Sequence, residues 1–171
     1  KENILKKGLI GFAVAALAAS LLTGCGSNKA EISIEDPVVR SIDAMSYKDD
    51  AGKYMTGSFM TIKNSGGEDV TLVGGSTDIA DRIEIHEVIA GVMQPMSDGL
   101  VIKAGESVKL RMGGYHVMLI GLNKDLKAGD EATITLEFSD GQSVEYTAPV
   151  KDIAMDDEQY GAEGMGDGAM K

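Results

Sequence analysis

Apolar residues recurring at every second position, in short runs closed by glycine-rich turns, constrain this chain most. Residues 133–138 read Thr-Ile-Thr-Leu-Glu-Phe, so Ile134, Leu136 and Phe138 share one face. Strand side chains alternate between faces with a period of two, whereas a helix repeats every 3.6 residues. No helical stripe of that kind stands out. Ser139-Asp140-Gly141-Gln142 comes next, and Asp-Gly is a hairpin turn pair because both residues tolerate positive φ. Val144, Tyr146 and Ala148 alternate on the return. The same reading gives a strand at 54–63, closed by Asn64-Ser65-Gly66-Gly67, with a return at 70–73. Further strands are expected at 82–89, 108–112 and 115–122, and residues 43–52 read as a polar loop. Short strands at this spacing predict an all-β fold, either a sandwich or a barrel.

The amino terminus breaks the pattern. Lys1, Lys6 and Lys7 form a basic start, and residues 8–22 are apolar and uncharged. That run falls short of the roughly 20 residues a helix needs to cross a bilayer. A basic start, a short apolar run and small residues make a secretory signal. Leu22-Thr23-Gly24-Cys25 resembles the bacterial lipobox. The resemblance implies cleavage before Cys25 and diacylation of its sulfur, and stable anchoring takes two acyl chains. The alternative is an ordinary secretory signal with a chance cysteine. Cys25 is the single cysteine of the chain, a free thiol that lipidation would shield from oxidation. With no disulfide and no cysteine-based zinc motif, the fold must rest on its apolar core.

The expected organisation is a signal peptide at 1–24, a tether at 25–31, one β-domain at 32–152, and a tail at 153–171. The tail is acidic, carries Met155, Met165 and Met170, and has almost nothing to bury, so disorder is expected there. Loss of Lys1, Glu2, Lys6 and Lys7 with the signal takes the formal net charge from −11 to −13. So acidic a protein is repelled by nucleic acid and by anionic lipid, which argues against both as partners. The expected location is the extracytoplasmic face of a bacterial membrane, in the cell envelope, held by lipid.

The residues that could carry chemistry are few. The chain has two histidines and ten methionines. In Arg82-Ile83-Glu84-Ile85-His86-Glu87-Val88, strand parity puts Ile83 and Ile85 on one face, and His86 on the other beside Glu84 and Val88. A tight turn at Ala90-Gly91 would set Val88 opposite Met93, so that His86 and Met93 share a face. Met96 would then take the other face, unless the turn has odd length or a bulge. His116 and Met118 share a face about 7 Å apart, while Tyr115, Val117 and Leu119 read as core. Met112 also reads as core. Two imidazoles and at least two thioethers could therefore converge. Thioether sulfur is soft and uncharged and suits Cu(I), whereas zinc favours thiolate, imidazole or carboxylate. No calcium loop stands out, and no nucleophile is placed beside either histidine, so an enzyme is not expected. The competing reading is a surface or hydrogen-bonded histidine pair with methionine as core filler.

The segment Gly113-Gly114-Tyr115-His116-Val117-Met118-Leu119-Ile120-Gly121-Leu122, followed by Leu126-Lys127-Ala128-Gly129-Asp130, resembles the extracytoplasmic copper chaperones called PCu(A)C. Ile85-His86-Glu87 and Gly91-Val92-Met93 resemble their upstream ligand segment, and Phe59-Met60-Thr61-Ile62-Lys63-Asn64 an early strand. The resemblance covers roughly residues 32–150. It implies a cupredoxin-like or immunoglobulin-like β-sandwich of antiparallel strands and Cu(I) as the bound metal. It also implies a copper-accepting membrane protein, such as a respiratory oxidase subunit, as partner. Carried over by position, His86 matches the first histidine of the family motif, and His116 with Met118 its closing pair. The second element is Met93 or Met96, because the loop after His86 is shorter than the family's. Met93 fits the preceding Gly-Val. A metal-free, lipid-anchored adhesion or assembly module remains the alternative function, and it predicts that His86 and His116 lie apart. Tail methionines could add weak copper capacity, although an inert solvated tail is the simpler expectation.

Overall fold

The computed structural model describes residues 29–42 and 46–153. The signal peptide, Cys25, most of the tether, and the tail beyond Ile153 lie outside the described residues. Ten strands follow in order: β1 (Ile32–Arg40), β2 (Met55–Asn64), β3 (Val70–Ser76), β4 (Ala80–Ile89), β5 (Val92–Pro95), β6 (Leu100–Ile102), β7 (Ser107–Leu110), β8 (His116–Leu122), β9 (Glu131–Phe138) and β10 (Ser143–Lys151). No helix occurs among the described residues.

The strands hydrogen-bond in the order β5-β4-β8-β2-β1-β10-β9-β3-β6, with β7 also pairing with β2. Every pair is antiparallel but one. β1 meets β10 in parallel, over Val39–Val150 and Arg40–Lys151, and this short seam joins two antiparallel sets. Val39, Ile62, Ile83, Ile85, Val117 and Leu119 come from the first set, and Leu72, Ile102, Ile134, Leu136 and Phe138 from the second, into one hydrophobic cluster. Two sheet faces closed on one core are a sandwich, which removes the barrel alternative. The all-β expectation holds, and the parallel seam is the departure from a wholly antiparallel sandwich.

Three strands were not separately legible. In β1 the alternation of Ile32 and Ile34 is broken by Asp36-Pro37. Asp36 takes φ 50°, and the register against β2 shifts between Glu35 and Val38. This is a β-bulge, an extra residue that moves the pattern to the other face. β5 and β6, at four and three residues, are too short to show a period.

The expected stop after β2 is built around Asn64, which is fully buried. Its Oδ1 accepts from the N–H of Glu31 at 3.1 Å and of Gly66 at 3.0 Å. Its Nδ2 donates to Glu68 O at 2.8 Å and Ile102 O at 3.3 Å. All four hydrogen-bonding positions of the amide are used, so one side chain ties the start of β1 and the end of β6 to this turn.

Candidate metal centre

The ladders of β5, β4, β8 and β2 fix what lies side by side. His86 stands opposite His116, and Glu84 opposite Met118, across β4 and β8. Val88 stands opposite Met93 and His86 opposite Pro95 across β4 and β5. Gly57 of β2 stands opposite Met118. Residues directly paired across strands point to the same face. His86, Met93, His116 and Met118 therefore share the outer face of this sheet. Ile83, Ile85, Val117 and Leu119 alternate with them and enter the core.

The hairpin between β4 and β5 decides which methionine arrives. Ile89 pairs with Val92, leaving Ala90 and Gly91 as a two-residue turn. Their φ values are 51° and 79°, the pattern of a type I′ turn. A two-residue turn preserves parity, so Met93 shares the face of His86. Met96 donates its N–H to Ile85 O at 2.8 Å and packs against the core.

The imidazole centroids of His86 and His116 lie 5.6 Å apart, with the rings inclined at 62°. Both histidines are buried, as is Met118. His86 Nε2 lies 2.9 Å from Glu84 Oε2. Hydrogen bonds from His86 and then from Arg82 hold the Glu84 carboxyl below the usual carboxylate range. It is thus a carboxylate and only accepts, so His86 Nε2 carries the hydrogen. In the neutral ring Nδ1 is then a bare lone pair. It is the one buried side-chain nitrogen or oxygen among the described residues without a hydrogen-bond partner. Such an atom normally finds a partner, because burying it alone is costly.

His116 repeats the logic. Its Nδ1 lies 3.0 Å from Gly114 O, a carbonyl that can only accept. Nε2 is therefore the lone-pair nitrogen of the neutral ring, and it faces the Met93 sulfur at 3.2 Å. Two electron-pair donors held this close are stabilised by a shared cation. Each histidine gives one N–H to an oxygen and keeps the other nitrogen free, the arrangement that orients metal-ligating imidazoles. No group of three or more His, Cys, Asp and Glu side chains among the described residues is placed to hold a metal. A site here draws on methionine sulfur, and that donor set fits a soft ion such as Cu(I).

Burial is the main cause that pushes the His116 pKa down from its ordinary 6.5, the charge of His86 adds to it, and the bond to Gly114 opposes it. As pH falls past about 6.5, the unfolded chain binds this proton before the folded one does. The His116 contribution to stability therefore declines with falling pH. Urea denaturation of the metal-free protein at pH 7 and pH 5 should show a larger loss for the parent than for His116→Gln.

Three further contributors were not singled out from the sequence. Glu84 was legible as a face-mate of His86 two residues away, but its role as hydrogen-bond acceptor was not. Phe59 lies 6.2 Å from His116 between ring centroids. Its ring lies over Gly57, where a Cβ would come within 2.7 Å of Phe59 Cζ. A glycine here leaves room for the ring beside His116 and Met118, and finding it requires the β2–β8 pairing. Met112 is buried, as expected, and it also lines a cavity of about 360 Å³ with Met93, His116 and Met118.

Fold and site together define a class: a β-sandwich with a histidine–methionine donor cluster on the outer face of one sheet. The chain belongs to the LpqE-like family, whose model, described as "Putative lipoprotein LpqE-like", matches residues 32–150. A relative in Leifsonia xyli subsp. xyli, described as "Putative lipoprotein Lxx21020", is 38% identical over 114 residues, 64% of this chain and 69% of its own length. The uncharacterized protein RP573 of Rickettsia prowazekii is 35% identical over 86 residues, and the chain spans 48% of its length. Among solved structures, the copper-bound PCuAC domain from PmoF2 shares the fold at 24% identity and TM-score 0.57, covering 71% of this chain and 93% of that domain. The solution structure of CuI-DR1885 from Deinococcus radiodurans is 26% identical, with TM-score 0.59, covering 75% of this chain and 83% of that one.

Proposed function

We propose that this chain is a lipid-anchored, extracytoplasmic Cu(I) chaperone that binds one ion through His86, Met93, His116 and Met118. The ion is cargo. The carrying observation is the pair of imidazoles with proton-bearing nitrogens tied to oxygen, one free nitrogen orphaned and the other facing a methionine sulfur. The likeness to CuI-DR1885 supports the choice of metal. Neutral thioethers hold Cu(I) without the grip of thiolates and need no deprotonation, so an acceptor can take the ion by ligand exchange. The proposed domain is residues 32–152, and the proposed acceptor is a copper-requiring membrane protein such as an oxidase subunit. The metal-free adhesion module predicts histidines lying apart, and a centroid separation of 5.6 Å speaks against it.

Delivery is tested in cells that lack the chain. Membrane oxidase copper and activity should fall when copper is scarce, and return with the parent but not with His116→Ala. Unchanged oxidase copper together with lowered copper tolerance would point to sequestration instead.

The lipobox reading gives a sharper expectation. Diacylated Cys25 confines the carrier to the surface where its acceptor sits. Cys25→Ser should leave an unlipidated protein that no longer partitions with membranes. Persistence of the variant in membranes after salt and carbonate washing would remove the lipid anchor from the account.

A further inference from the structure

Six methionines lie among the described residues, and their distribution is uneven. Met60 and Met96 pack with the core. Met93 and Met118 belong to the proposed ligand set. Met55 and Met112 belong to neither, yet both line the cavity that Met93, His116 and Met118 line. Gap-filling, the ordinary use of methionine in a core, does not account for side chains that border open space.

Their positions follow from the ladder. Met55 pairs with Ile120, two residues along β8 from Met118. Residues so placed are diagonal neighbours at about 7–8 Å, within reach of long side chains on one face. Met112 follows β7 at the place where β2 changes partners. Met60 pairs with Leu110 of β7, whereas Ser58 pairs with Val117 of β8. The Arg111 N–H bonds Tyr115 O at 2.8 Å and closes the turn that carries Met112 beside the cavity.

We infer that Met55 and Met112 form a second, weaker Cu(I) position in this cavity, next to the histidine-bearing one. Two neutral thioethers bind a soft monovalent ion and offer little to zinc or calcium. The position lacks imidazole, and Arg40, a buried cation, lines the same cavity. Both features make it the weaker of the two. An ion displaced from His116 by an approaching acceptor then has a place to rest on its way out. The inference shares its metal with the proposed function but uses different ligands, so each can fail alone.

The test is a titration of the full chain, labelled with ¹³C at the methionine methyls, with Cu(I) under anaerobic conditions. Signals are assigned from single Met→Leu variants, which keep volume and remove sulfur. The first equivalent should shift Met93 and Met118, and the second Met55 and Met112, at least tenfold more weakly, with Met60 and Met96 unmoved. Joint substitution of Met55→Leu and Met112→Leu should abolish the second event and preserve the first. Met55 and Met112 methyls that stay as still as Met60 under excess Cu(I), or that move only with the first equivalent, overturn the inference. A response at Met55 and Met112 with Met93 and Met118 silent supports it and overturns the proposed ligand set.

Discussion

Leu119→Ala will destabilise the domain by about 2–5 kcal/mol, while Met118→Leu, one residue away, will cost less than about 1.5 kcal/mol. Both side chains are buried, so exposure alone does not separate them. Their surroundings do. Leu119 is fully buried within the core cluster, and truncation leaves a void that close-packed neighbours fill only in part. Met118 borders a cavity on the opposite face, and leucine replaces its volume. Urea denaturation at neutral pH without metal checks the contrast. A Leu119→Ala variant within about 0.5 kcal/mol of the parent, the usual range for surface substitutions, would mean that the faces of β8 are assigned the wrong way round. The ligand set would go with them.

The same alternation that makes the core makes the site legible. On β8 the sequence HVMLIGL forces His116 and Met118 onto one face and Val117 and Leu119 onto the other, before any partner strand is known. On β4 the same holds for His86 against Ile83 and Ile85. Met93 was legible because Ala90-Gly91 spells a two-residue turn and parity does the rest. Met96 packs against the core, which favours Met93 in the proposed ligand set.

Other features depend on long-range pairing and leave no local trace. That β4 lies beside β8, which brings the histidines together, is a choice among strands far apart in sequence. So is the pairing that lays Phe59 next to His116, and so is the parallel seam of β1 and β10. The bulge at Asp36-Pro37 hides β1 because it moves the apolar pattern to the other face midway. Tyr115 departs from the core expected by parity with Val117 and Leu119: it is exposed, because β8 begins only at His116 and Tyr115 still belongs to the turn before it.

The central claim is that one Cu(I) is held by His86, Met93, His116 and Met118. Each strand piece brings two donors already on one face, and second nitrogens already tied to Glu84 and Gly114. Removing a hydrogen-bond partner of a metal ligand commonly costs about 10–100-fold in affinity, so loss of a ligand should cost at least the upper end of that range. A folded variant should bind more weakly, since these side chains lie off the core face. The decisive measurement is anaerobic competition for Cu(I) against a chromogenic chelator, run on the parent, His86→Ala, Met93→Leu, Met96→Leu, His116→Ala and Met118→Leu. The account predicts one tight equivalent in the parent and in Met96→Leu, and affinity lowered by about a hundredfold or more in the other four. Parent-like binding by His116→Ala and Met118→Leu would contradict it, and would leave the metal-free anchored module as the better description.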